Sequence, residues 1–328
     1  MAFHTKFHRT FAAASTITSL VANLGAVYVT ADPAITHATA SLHYDSPDVL
    51  EAFNISESRH EWTLGWTGGK RVTGRYTIEL RLPARTLECV SFTASGMLAI
   101  SSGVLAASPS VHLSINSSGP GQLNIQDDTL VASGLTLWHT GSGSLQLTCR
   151  SIAADVVDVT SRGWGVVALC TSRLATTDLS VANHSSAVIY IDARTRAAAH
   201  DVRVVNRGSG AVRMAFDSLT TDELMLVVAS SGPILLSVSA ALNAARIDSR
   251  VTSSGSLHLA CSPAGSTCAA HRIAMPGSGD LSTNVEAATT ETNASGSGCV
   301  RQTAPCTVQS LGSVESIKLL PLSHPLAA

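Results

Sequence analysis

From about Phe92 to Val300 the chain repeats a unit of roughly 22 residues, marked by short Ser/Gly clusters. An anchor placed on the last small residue of each cluster falls at Gly121, Gly143, Gly165, Ala187, Gly210, Gly232, Gly255, Gly279 and Gly298. The successive intervals are 22, 22, 22, 23, 22, 23, 24 and 19 residues, with an earlier anchor at Gly96. Two residues past each anchor the side chain is apolar every time: Leu98, Leu123, Leu145, Val167, Ile189, Val212, Ile234, Leu257, Leu281 and Val300. Two further on, Ile100, Ile125, Leu147, Leu169, Ile191, Met214, Leu236 and Leu259 continue the column, which lapses at Thr283 and Gln302. Before the anchors a second stretch alternates in the same way, as in Leu135/Leu137, Val157/Val159 and Leu179/Val181. A looser third column runs through Leu130, Ile152, Leu174 and Leu219. Alternation with period two means a strand with one face buried and one in water.

Each unit therefore reads as strand, tight Ser-Gly turn, strand and looser corner. A single unit has nothing to cover its apolar face, whereas stacked units bury it in continuous ladders at a strand spacing of about 4.8 Å. The expected fold is all-β: a right-handed, single-stranded parallel β-helix. Gly121, Gly143, Gly165, Gly210, Gly232, Gly255 and Gly279 are the expected turn glycines. Two reasons are offered for them: backbone conformations closed to larger residues, and close approach of neighbouring coils. A leucine-rich repeat has a similar period, but its Asn ladder and Leu spacing are missing, and a propeller needs a period near 40.

Composition agrees with narrow β layers. The chain of 328 residues is 45% hydrophobic but only 4% aromatic and 13% charged. Val, Leu, Ala, Ser, Thr and Gly do the work that Phe, Lys and Glu do in ordinary globular domains. The organisation expected is an N-terminal extension over residues 1–18, a β region over 19–91 that caps and enters the solenoid, repeats over 92–316 and a tail over 317–328. The final repeats lose apolar residues, as terminal coils with exposed edges must. The formal charge of −2 removes the electrostatic case for nucleic acid as a partner. No uninterrupted apolar run reaches the length of a membrane span. The start carries Lys6 and Arg9 without an acid, a poor secretory signal and a faint organellar presequence.

Seven cysteines include two pairs with identical spacing, Cys261/Cys268 and Cys299/Cys306, each around a short Ser/Thr/Ala/Pro loop. Cys149 and Cys170 lie about one repeat apart and are expected to face each other on adjacent coils. These six are candidate disulfide partners, leaving Cys89 free; buried reduced thiols are the competing reading. Asn54, Asn116, Asn183 and Asn293 head Asn-x-Ser sequons and are candidate glycosylation sites, which lean towards secretion. The expected location is extracellular or at the cell surface, with the cytoplasm as the alternative.

The chain also carries a second pattern: NLGAVYVT at residues 23–30, SPDVLEAFNI further on, and GRYTIELRLPARTLECVSFTASGMLAI at 74–100. With the Gly-Ser-Gly coils at 141–147, 208–214 and 277–281, it resembles the auto-transporter adhesin head GIN domain family. The resemblance covers most of the chain and implies a single-stranded β-helix with an adhesin-type role. It brings no functional residues that carry over.

Candidates for chemistry are few. Asp155, Asp178, Asp201 and Asp222 recur before the second strand, as an acidic ladder or as Asx-type strand starts. His139 and His184 are expected in one solvent-facing polar column with Ser161 between them, adjoined by Asn183 and Asn206. Two coils separate the histidines, too far to share a metal ion. Gly65–Arg71 (GWTGGKR) is one residue short of a phosphate loop and has Arg71 where a Ser or Thr would hold magnesium, so it reads as a hairpin loop. Trp62 and Trp66 either plug the N-terminal end of the helix or stack on a sugar, and plugging is favoured. No catalytic, cofactor-binding or metal-binding residue is assigned. The function expected is a non-enzymatic binding or adhesion module whose ligand is a glycan, matrix component or protein. The alternatives are a carbohydrate-active enzyme using the Asp ladder and an intracellular scaffold.

Overall fold

A computed structural model describes residues 7–68, 72–262 and 266–302 of the chain. It is a parallel β-solenoid built from coils of about 22 residues, with one short helix, Pro47–Ala52. The helix starts at Ser46, whose side chain accepts from the Asp48 amide, and Pro47 supplies a first position that needs no amide partner.

The apolar columns stack in register. Leu123 pairs with Leu145, Leu145 with Val167, Val167 with Ile189 and Ile189 with Val212. The series continues through Ile234, Leu257 and Leu281 to Val300. Most of these side chains are fully buried. Each buried Leu or Ile contributes about 1.5–3 kcal/mol, and because coil follows coil the core is one continuous ladder.

Burial also shows where the coil bends. In Ser144–Ser161 the alternation breaks at Arg150/Ser151 and again at Asp155/Val156, where two successive side chains point outward. With the tight turn at 162–165, each middle coil has three bends, here called the first corner, the second corner and the tight turn. The equivalents in the next coil are Ser172/Arg173 and Thr177/Asp178. In Val188–Asn206 the first corner holds three outward residues, Arg194, Thr195 and Arg196. The register jumps there from Thr171 opposite Ala193 to Arg173 opposite Arg196, so the coil's extra residue is a bulge at that corner.

The tight-turn glycines follow one of the two reasons offered for them. Left-handed φ is confined, among the described glycines, to Gly74, Gly96 and Gly103, so the repeated turn does not demand a conformation closed to larger residues. Close approach does demand glycine: a Cβ on Gly143 would collide with the carbonyl oxygen of Gly121, and one on Gly165 with that of Gly143.

At the N-terminal end coil order departs from chain order. Ser19–Ala22 lies between Glu61–Trp66 and Cys89–Phe92, and Val27–Ala31 between Tyr76–Leu82 and Met97–Ile100, all parallel. The first coil in sequence is thus second in the stack. Beyond the outermost coil the pairing turns antiparallel, with Phe53–Ser58 on Glu61–Trp66 and Thr39–Tyr44 on Tyr76–Leu82. Phe7–Ala12 then covers Thr39–Tyr44. Trp62 is buried here and Trp66 packs edge-on against Tyr76 at 4.8 Å, so the tryptophans fill this end. Glu57 ties the cap together. Its carboxylate accepts from Ser15 Oγ (2.6 Å), the amides of Ser15 and Ala14, and Trp62 Nε1 (3.1 Å). These donors, Ser15 first, hold its pKa down to about 2. Part of the 65–71 loop, Cys306 and the 317–328 tail lie outside the described residues.

Candidate binding faces

The second corner carries the acids, but not as the four-membered ladder expected. Asp178 pairs with Asp201 and Asp201 with Glu223, which faces Arg246. Asp155 and Asp222 are each one position out of that column, because Val156 is the partner of Asp178 and Glu223 the partner of Asp201. His200 joins the two registers: Nδ1 lies 3.0 Å from Asp201 Oδ1 and Nε2 lies 3.2 Å from Asp222 Oδ2. Hydroxyls brace the backbone beneath. Thr176 Oγ1 is within donating distance of the Asp155 and Asp178 carbonyls, and buried Thr221 of those of His200 and Glu223.

The polar column before the tight turn is interior, which corrects the solvent-facing reading. Its members are Ser117, His139, Ser161, Asn183 and Asn206, in register and fully buried. His184 is not among them; it sits one position further on. Both asparagines bond into their own turn, and Asn206 also bonds along the stack, its Nδ2 donating to the Pro233 carbonyl of the next coil at 3.0 Å. Asn206 Nδ2 donates to the Gly210 carbonyl at 2.7 Å while its Oδ1 accepts from the Gly208 amide, and Asn183 does the same to Ala187 and Ser185. Such side-chain turns replace the backbone bonds a tight bend gives up. Burial keeps the His139 ring below its ordinary pKa, so it is a neutral core residue at pH 7.

Outside this column lies a basic edge. The amides of Arg162, His184 and Arg207 bond to successive residues of the buried column, which lines the three side chains up along the turn. The His184 pKa is lowered by burial and by the charges of Arg162 and Arg207. The Arg162 guanidinium lies over the Trp138 ring, 4.9 Å from its centre. Two residues on, Trp164 stands at the turn apex, 78% exposed. The positions equivalent to Trp164 in neighbouring coils are Ser142, Ser186 and Ser209. A lone Trp breaking a row of serines was a signal available in the sequence. It becomes informative only once the row is known to face outward.

The cysteines described, 89, 149, 170, 261, 268 and 299, are free thiols. Cys149 and Cys170 cannot face each other as expected. Cys149 is opposite Thr171 and points inward, whereas Cys170 is opposite Thr148 and points outward. Desolvation raises both thiols to about 11, so neither is a thiolate at neutral pH. Among the sequon asparagines, Asn54 and Asn293 are exposed and Asn116 is half-buried. Asn183 is buried with its amide engaged in the turn, so the folded chain presents no acceptor there.

Two shallow hollows mark the sides. One, of about 400 Å³, runs between the outer faces of the C-terminal coils and includes Asp248, Arg250, Arg272 and Asn293. Its one carboxylate, Asp248, is held by Arg246 at 2.7 Å. The other, of about 450 Å³, lies at the first corner of the middle coils.

No family model and no curated protein matches the chain. Solved structures do. A putative lipid binding protein from Parabacteroides distasonis aligns over 91% of this chain and 97% of its own at 13% identity, with a TM-score of 0.41. A putative adhesin from Bacteroides fragilis aligns over 91% and 98% at 17% identity and TM-score 0.38. A putative adhesin from Parabacteroides merdae aligns over 91% and 97% at 10% identity and TM-score 0.36.

Proposed function

We propose that this protein is a non-enzymatic binding rod, extracellular or on the cell surface, whose middle coils meet a glycan or protein along the tight-turn edge. The observation that carries the reading is Trp164. Trp is the residue type most enriched among binding anchors, and this indole stands 78% exposed at the apex of a turn. Its ring face offers stacking area, the serines beside it offer hydroxyls, and Arg162 and Arg207 offer donors. The acids of the second corner support an enzyme less well. They stand side by side along an outward corner, whereas glycoside cleavage sets two carboxyl groups across a bound sugar.

The test is retention of the full chain on a panel of immobilised neutral and acidic glycans, with Trp164→Ala beside it. Wild type is expected to hold at least one member of the panel, and the variant to bind it roughly tenfold or more weakly with an unchanged Tm. Equal binding by the variant would move the ligand off this edge. Release of reducing ends or unsaturated sugars by wild type would overturn the non-enzymatic reading. For location, Asn54 and Asn293 are the exposed acceptors, and intact mass of native material before and after deglycosylation is expected to show a shift.

A further inference from the structure

We propose that the first corner of the middle coils is an anion-binding site that takes the carboxylate or sulfate groups of an acidic polysaccharide, with Arg150, Arg173 and Arg196 as its cations. The site lies at a different bend from the Trp164 edge and stands or falls separately from it.

The charge pattern is the first reason. Arg173 and Arg196 are direct partners in the parallel ladder, and Arg150 shares a hollow with Arg173 one coil away. Like charges set opposite each other in a sheet repel. Other arginines are relieved, one of them at this same corner: Arg194 donates to Asp192 at 3.1 Å, as Arg85 does to Asp127 at 2.9 Å and Arg246 to Asp248 at 2.7 Å. Among the described ion pairs and hydrogen bonds, the guanidinium groups of Arg150, Arg173 and Arg196 take part in none. The acids nearest along the corner are turned away: Asp128 accepts from Ser102 at 3.1 Å, and Asp217 from Ser239 at 2.9 Å, each a coil further out. Three guanidinium groups without a partner in the described fold, flanked by carboxylates that bond to the coils beyond, are a place for an anion from outside.

The local geometry is the second reason. The hollow of about 450 Å³ is lined by Thr129, Arg150, Ser151, Ser172, Arg173 and Thr195, so cations and hydroxyls line it and no carboxylate does. The bulge in Val188–Asn206 falls at this corner and adds a residue to Arg194–Arg196, re-aiming its side chains. A guanidinium presents a planar fork that matches carboxylate and sulfate oxygens in pairs. Coils repeat at about 4.8 Å, so the cations form a row rather than a single cup, suiting a polymer with regularly spaced anions. The hydroxyls suit the sugar between the anions. No aromatic ring lines the hollow, so it lacks the stacking platform by which single-stranded nucleic acids are held.

The experiment uses the full chain in affinity electrophoresis and thermal melts with polygalacturonate, heparin, neutral dextran, inorganic sulfate and a single-stranded DNA oligonucleotide. Wild type is expected to be retarded by at least one acidic polysaccharide and not by dextran, and its Tm is expected to rise with that polymer. Arg173→Gln/Arg196→Gln is expected to weaken that binding roughly tenfold or more and to lose the Tm rise. In plain buffer the same variant melts at the wild-type temperature or above it, a sign that a merely structural role for these arginines would not give. Trp164→Ala is expected to leave the acidic-polymer binding intact. The proposal is overturned if wild type ignores both acidic polymers, or if the double variant binds them as well as wild type. It is also overturned if DNA binds more tightly than either polysaccharide, or if sulfate at equal anion concentration reproduces the whole Tm rise. Loss of glycan binding in Trp164→Ala alone bears on the tight-turn edge and leaves this site standing.

Discussion

The first and second corners of the middle coils are built from the same strands, one residue row apart from the same core, and treat charge in opposite ways. At the second corner the acids have partners within the fold: His200 lies within hydrogen-bond distance of both Asp201 and Asp222, and Glu223 is the ladder partner of Arg246. At the first corner Arg173 is left facing Arg196, with Arg150 one position off their register and sharing a hollow with Arg173. A corner whose charged groups find partners within the fold serves the fold, whereas one whose cations lack such partners is open to an anion from outside. The acidic residues drew attention in the sequence because four Asp recur, yet the recurrence is slightly irregular, and that irregularity is what lets them pair with a histidine instead of with each other's column.

Acid titration separates both corners from the interior and carries the largest expected effect. His271 is buried, with Nε2 3.0 Å from Ser249 Oγ, and burial pushes its pKa down from 6.5 to about 4. The unfolded chain takes up a proton below about 6.5 that the folded chain refuses until about 4. This contribution is therefore complete above pH 6.5 and is lost as pH falls towards 4, by up to about 3 kcal/mol. Denaturant midpoints from pH 7 to 4 are expected to fall for wild type, to fall less steeply for His271→Gln, where buried His139 supplies part of the remaining slope, and to fall as in wild type for His200→Gln. A flat profile in His200→Gln would place the acid sensitivity at the second corner instead.

Within the corners, Thr221→Val removes a buried hydroxyl shared between two carbonyls 2.9 Å away. It is expected to cost about 1–2 kcal/mol in chemical denaturation. His200→Ala, which unties exposed Asp201 and Asp222, is expected to cost less than about 1 kcal/mol at pH 7. Arg173→Glu reverses the sign at the first corner. Placing a carboxylate opposite Arg196 is expected to stabilise the fold by about 0.5 kcal/mol while abolishing acidic-polymer retardation. If Arg173→Glu destabilises instead, the first corner is satisfied as it stands and the contrast between the corners fails.

Much of the fold was legible in the residues, and the failures are specific. The columns through Leu123, Leu145 and Val167 stack as their spacing predicts. Cys149 and Cys170 take opposite faces because 21 residues separate them rather than 22, and in a strand one residue changes the face. The same parity displaces Asp155 and Asp222. The arginines show the converse. Arg150, Arg173 and Arg196 recur at intervals of 23 residues, off the common period; Arg173 and Arg196 meet because that corner admits an extra outward residue, whereas Arg150 stays one position out of register. The inverted coil order at the N-terminal end left no trace in the periodicity, since each strand there alternates whichever neighbour it has.

What the sequence determined by itself is the stack: a period near 22, apolar residues at every second position, and small residues where carbonyls of the next coil press against the turn. Those are local facts, set by which side of a strand each side chain takes. Tertiary structure decided lateral company — His139 and Asn183 inside rather than out, Asp201 with His200, Arg173 with Arg196. Alternation says in or out, whereas neighbours across coils depend on register, and register depends on where each corner places its extra residue.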